Sequence, residues 1–250
     1  MKRSLAFFFG LGILAALATA GDRNPPSAPP PVSSPPPTSS STGGAPVLPR
    51  YVPPVHDAPR VSVGAGTRAA GVAAHLEAIS PESLGQTLSP SPSLYWYLFE
   101  ATQARVDFTL TDPASVAPLV EKTLPGPFAA GMHRVDLDAL GVKLAPGTEY
   151  HWYVSLVTDP EERSSDVVAG GIVLLVDGGA LREEVARVSA EERPLVLAQN
   201  GIWYDAVDAL SRRIESQPSD PTARRQLAAL LEQVGLEPAA ASESGAKTRP

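Results

Sequence analysis

The chain has 250 residues and a formal net charge of −7; 43% of it is hydrophobic, 19% is charged, and it holds 27 prolines and no cysteine. That acidity repels phosphate backbones and anionic lipid, and no basic cluster with interleaved aromatics offsets it, so nucleic acid is disfavoured as a partner. The missing cysteine removes thiol catalysis, a disulfide framework and zinc-ribbon sites.

Residues 1–20 have the three parts of a secretory signal. Lys2 and Arg3 are the basic start, Leu5 to Leu17 is an apolar run with Phe7, Phe8 and Phe9, and Ala18-Thr19-Ala20 is a small-x-small cleavage site before Gly21. The run is shorter than the roughly 20 residues that span a bilayer comfortably. No cysteine follows the site, so a lipoprotein is not expected. The expected product is exported, periplasmic or extracellular, with no stable membrane insertion after cleavage. The alternative is an anchor formed by an uncleaved N-terminal segment.

From residue 21 to 59 the composition is Pro, Ser, Thr, Gly and Ala, with runs such as Pro29-Pro30-Pro31. Such a stretch buries little apolar surface and favours extended polyproline conformations, which predicts a disordered, semi-rigid linker. A β domain is expected over residues 60–178. Arg60 to Val63 reads as a short strand, and Gly64 and Gly66 after it lack the third glycine and helix of a dinucleotide-binding fingerprint.

Ser93 to Phe99 alternates Leu94, Trp96 and Leu98 against Tyr95, Tyr97 and Phe99, apolar on both faces, as for a central or helix-covered strand. Arg105 to Leu110 places Val106, Phe108 and Leu110 inward, and Met132 to Leu137 adds a further strand. Pro146-Gly147 turns the chain into a strand where Tyr150, Trp152, Val154 and Leu156 share one face. A tyrosine at such a strand start ties its hydroxyl to upstream backbone in immunoglobulin-type sandwiches. Val167 to Val176 returns, making about seven short strands, the number of a fibronectin- or immunoglobulin-like β-sandwich.

Residues 179–236 switch to helical periodicity. Leu181, Val185 and Val188 repeat at i, i+4 and i+7, and Ser189-Ala-Glu-Glu192 has capping-box form ahead of a helix reaching Gln199. Helices over Ile202 to Ser216 and Thr222 to Val234 follow, the last closed by Gly235. Residues 237–250 are expected to be a disordered tail. The fold class is therefore mainly β with C-terminal α, a sandwich followed by a helical hairpin or repeat-like segment.

Two resemblances attach to these segments. Gly201, Trp203, Ala206, Leu210 and Pro218 fall at the spacing of the second helix and closing proline of tetratricopeptide repeats, and the helical region resembles that family over about one and a half repeats. The segments Val63 to Arg68, Leu88 to Tyr97, Leu144 to Tyr153 and Asn200 to Ala206 occur in the order of a bacterial family, domain of unknown function 928, which the folded chain resembles. That resemblance implies an exported envelope protein and no particular reaction.

No His-Glu-x-x-His, Gly-x-Ser-x-Gly or calcium-loop spacing occurs, and the four histidines are scattered, so no metal, cofactor or catalytic residue is assigned. The leading expectation is a non-catalytic module that contacts an unknown envelope protein. The contact would use an exposed sandwich edge or a helical face carrying Trp203, Tyr204 and Asp205, with Asp205 directed to water. The alternative is a small-ligand or carbohydrate site that stacks on Tyr95, Tyr97 or Tyr153. An enzyme of unknown class stands third.

Overall fold

The computed structural model describes residues 46–54 and 76–245. Strands β1 (Leu76–Ala78), β3 (Ser93–Leu98) and β6 (Gly131–Asp136) form a three-stranded sheet in the order β1-β3-β6. Strands β2 (Leu84–Thr87), β8 (Val167–Leu175), β7 (Glu149–Val157), β4 (Arg105–Thr111) and β5 (Val120–Leu124) form a five-stranded sheet in that order. The β2–β8 pair is parallel and the other pairs are antiparallel. The described part of the chain is thus β followed by C-terminal α. The signal sequence, the expected strand Arg60 to Val63 and the Gly64/Gly66 cluster lie outside the described residues.

Strand β7 carries the alternation read from its sequence. Tyr150, Trp152, Val154 and Leu156 are buried, while His151, Tyr153 and Ser155 are half-buried. In register, Leu110, Phe108 and Val106 of β4 stand opposite Trp152, Val154 and Leu156. On the other flank Gly171 and Ala169 of β8 stand opposite Trp152 and Val154, leaving room for the indole. Cross-strand apolar pairs of this kind fix sheet register, because a one-residue slip would turn the whole row outward. At the strand's entry the Ala145 N–H donates to the Tyr150 hydroxyl at 3.1 Å, the tie expected of that tyrosine.

Strand β3 is buried along its whole length, between β1 and β6 within its sheet. Three further strands had no periodic signal, the first being β1 with only three residues. Strand β2 is four residues long and includes Gly85, and β5 is an exposed sheet edge whose Glu121, Lys122 and Thr123 face water.

Five helices follow among the described residues: α1 (Gly179–Arg187), α2 (Arg193–Gln199), α3 (Trp203–Ser216), α4 (Pro221–Glu232) and α5 (Glu237–Glu243). The capping box ahead of α2 is present in both directions: the Glu192 N–H donates to Ser189 Oγ, and the Ser189 N–H donates to Glu192 Oε2. Asp220 caps α4 by accepting from the Thr222 and Ala223 N–H groups. Side chains of both sheets and of α2 to α5 join in one hydrophobic core. All described residues belong to one compact unit, Gly44–Pro250.

Two expectations about the ends need correction. Residues 46–54, counted with the linker, lie packed on the helices, with Tyr51 only 6% exposed. Residues 237–243, counted with the tail, form α5, whose Ala239 and Ala240 are fully buried. Pro49 and Tyr51 in the first place, and Ala239 and Ala240 in the second, are buried against a surface that composition alone does not reveal.

Helix α5 packs near Glu77 of β1. Burial pushes this carboxyl up to about 7, the Ala239 N–H partly offsets that, and Glu237 adds to it. A carboxyl with a raised native pKa binds more protons folded than unfolded, so stability falls as pH rises from about 4.5 to about 7. Glu77→Gln is therefore expected to flatten that decline and to be more stable than the parent at pH 8, read by urea unfolding at several pH values.

Candidate functional site

The start of α3 is where sequence and site meet. Pro194 lies in the first turn of α2 and Gly201 at φ +74° ends the turn after that helix, so that Trp203, Tyr204 and Asp205 enter the sheets side by side. Each of the three is bonded to a different part of the β structure. The Trp203 indole N–H donates to the Ile79 carbonyl at 3.0 Å. The Tyr204 hydroxyl donates to the Ile172 carbonyl at 3.0 Å, accepts from the Trp152 indole at 2.9 Å, and lies 3.1 Å from Ser80 Oγ. Asp205 Oδ2 accepts from the Thr87 hydroxyl at 2.7 Å and from the Leu88 N–H at 3.0 Å.

Two of these residues were expected on an exposed face. Trp203 is 0% and Tyr204 1% exposed, so neither offers a contact surface. Nor does Asp205 point to free water: it holds the end of β2. The reason is steric and local. A Cβ on Gly85 would lie 2.6 Å from the Tyr204 ring, so only glycine on β2 lets the helix approach this closely. Burial pushes the Asp205 carboxyl above the usual carboxylate range, while the Thr87 and Leu88 donors pull it back. Burial likewise pushes the Tyr204 hydroxyl up to about 12.

The stacking residues of the alternative reading are not brought together. Tyr95 and Tyr97 lie buried on β3 of one sheet, and Tyr153 lies half-buried on β7 of the other. The Tyr95 hydroxyl donates to Asp208 Oδ1 at 2.8 Å, so its polar end is already used.

What stays open is a groove of about 770 Å³ between the β2–β3 connection and helices α1, α2 and α3. Leu88, Val185, Leu197 and Ala209 give it an apolar floor, and Arg182, Arg193, Arg212 and Arg213 line its walls. Both carboxylates in the lining are engaged, Asp205 by Thr87 and Leu88, and Asp208 by the Tyr95 hydroxyl and by Arg212 at 2.7 Å. Arg213 is paired with Asp220 at 2.9 Å. Arg182 donates to the carbonyls of Asp177 and Leu88, which leaves its charge uncompensated. Arg193, exposed at the start of α2, is among the described residues without a carboxylate partner. The groove is thus locally cationic on an acidic chain. Sequence reasoning missed it because its arginines are spread over 182–213 and are gathered only by the helix packing.

Among the described residues no group of three or more His, Asp or Glu side chains is arranged to hold a metal ion. No described helix is long and apolar enough to cross a membrane. A β domain closed by C-terminal helices, with a cationic groove where they join, is the class of protein that fold and site define. The chain belongs to the family described as Domain of Unknown Function (DUF928), whose model matches residues 63–244. No curated protein matches the chain. Among solved structures, a multi-domain immunophilin from Arabidopsis thaliana is similar at 10% identity, covering 70% of this chain and 93% of that one, with a TM-score of 0.17. That score is too low to bear on the fold.

The Tyr204 hydroxyl is the most exacting contact of the site. Tyr204→Phe leaves the buried Trp152 indole N–H without its partner and is expected to cost about 1–3 kcal/mol of stability. Urea denaturation of the two proteins measures it, and a loss below about 0.5 kcal/mol, the range of neutral surface changes, would contradict the role given to that hydroxyl.

Proposed function

We propose that the protein is an exported, non-catalytic binding module that takes an acidic, partly apolar segment of a partner protein into the α1–α3 groove. The observation that carries this reading is the pair of guanidiniums, Arg182 and Arg193, standing without carboxylates above an apolar floor. Guanidinium forks bind carboxylates in two-point, charge-assisted fashion, and the apolar floor rewards a segment that also carries aliphatic side chains. The sheet edge at β5 is a poorer docking place. Its exposed Glu121 and Lys122 are the kind of charges that keep edge strands from pairing with other chains.

The body that presents the groove reads as a fibronectin- or immunoglobulin-like sandwich. Support comes from the two strand orders, with β1 and β2 each adding an edge to a different sheet, and from the Tyr150 tie at the entry of β7. The helices read as tetratricopeptide-like, supported by the burial of Trp203, Ala206 and Leu210 after the Gly201 turn. Export rests on the signal pattern of residues 1–20, and a periplasmic or extracellular location goes with it.

Two experiments test this. The intact mass of protein recovered from an expressing cell's envelope fraction should correspond to a chain beginning at Gly21; a chain retaining Met1 in the membrane fraction would replace export by anchoring. The Arg193 side chain is exposed and makes no hydrogen bond or ion pair among the described residues, so Arg193→Glu should fold normally yet weaken capture of an envelope partner by about tenfold or more, one lost charge-assisted bond. The wild-type complex should also weaken between 50 mM and 500 mM salt. Equal capture by the variant, unaffected by salt, would move the binding surface away from the groove.

A further inference from the structure

Residues 46–54 are held on the helices in the manner of a bound peptide. The Val52 N–H donates to the Ala198 carbonyl of α2 at 3.1 Å. The Gln233 side-chain amide grips the main chain on both sides of Arg50: its Nε2 donates to the Pro49 carbonyl at 2.9 Å, and its Oε1 accepts from the Tyr51 N–H at 2.9 Å. Gln226, 4% exposed on α4, donates from Nε2 to the Val47 carbonyl at 2.8 Å. Between these clamps the Tyr51 ring enters a socket and meets Trp203 edge-on, with centroids 5.0 Å apart. A Cβ at Gly201 would stand 2.9 Å from the Val52 carbonyl oxygen, so that glycine allows the segment to lie flush.

The helices therefore read the segment's main chain with amide side chains and its central aromatic with a pocket. Domains that take extended proline-rich segments seat them in aromatic-lined grooves, and Trp203 supplies such an aromatic wall here. The segment, Pro46-Val-Leu-Pro-Arg-Tyr-Val-Pro-Pro54, has that composition. One feature of the fit is imperfect. The Tyr51 hydroxyl is buried with no hydrogen-bond partner among the described residues. A phenol buried in this way loses its hydration without replacement, so phenylalanine at the same place would fit better.

We propose that the α2–α4 surface is a receptor for extended, proline-flanked aromatic segments of other proteins, kept closed by the chain's own residues 46–54. Phenylalanine is the preferred central residue. This surface is distinct from the arginine groove, and Arg193 takes no part in it. The chain's own segment acts as a competitor whose tyrosine makes it displaceable.

The probes are a labelled synthetic peptide of residues 46–54 and its Phe counterpart at position 51. A Tyr51→Ala chain, its own segment loosened, should bind both saturably and at least about tenfold more tightly than the wild-type chain, whose sites are mostly occupied. The Phe peptide should bind more tightly than the Tyr peptide, and Gln233→Ala in the Tyr51→Ala background should abolish binding. In the wild-type chain, excess Phe peptide should speed hydrogen exchange at the Tyr51 and Val52 amides while the β7 amides stay protected. Unchanged exchange at those two amides overturns the proposal, even if the Tyr51→Ala variant proves unstable. So does a Gln233→Ala variant that binds as well as its parent.

Discussion

A single hydroxyl joins the two halves of this molecule. Tyr204 Oη touches the indole of β7, the backbone of β8 and Ser80 beyond β1, all from the first turn of α3. The Trp152 indole is buried and has this hydroxyl as its partner, so the contact fixes the helix by satisfaction as well as by packing. Trp203 and Asp205 on either side repeat the arrangement toward Ile79 and toward Thr87 and Leu88. Three successive residues on a helix cover about 200° of its circumference. Only an α3 that begins inside the β structure can use all three at once.

The surfaces left for binding follow from that placement. Because the aromatic start of α3 is spent on internal contacts, the conspicuous Trp-Tyr-Asp sequence offers nothing to a partner. The outer side of the same helix contributes Asp208, Arg212 and Arg213 to the arginine groove, with Asp208 and Arg212 paired to each other. The opposite margin, where Gly201 and Trp203 meet α4, receives residues 46–54. One helix thus separates a cationic groove from an aromatic, amide-lined one. The two suit different chemistries, carboxylates in the first and proline-flanked aromatics in the second.

Much of the architecture was legible because it rests on local periodicity. The alternation in β4 and β7, the i, i+4 spacing of α1, the capping box before α2 and the terminal Gly235 each appear where the sequence pattern puts them. Strands without that periodicity escaped notice. Strand β2 is short and made of Leu, Gly, Gln and Thr, and β5 is polar because it is an edge with both faces partly wet. The packed segment around Tyr51 was hidden by its prolines, which are as compatible with a bound extended peptide as with a free spacer.

The sequence by itself determined the strands and helices that carry a periodic pattern, that the chain is acidic and cysteine-free, and that its first twenty residues have the pattern of an export signal. It did so because those properties depend on composition and on side chains a few positions apart. Only the tertiary structure decided which aromatics are core and which arginines converge. Burial of Trp203 and Tyr204, the acceptor role of Asp205 and the socket for Tyr51 all depend on residues more than 100 positions away, brought close by packing. A helix pattern shows that a residue has a buried side or an exposed one. Which partner waits there is settled by the fold, because desolvated polar groups accept only the donors and acceptors that the packed chain places within reach.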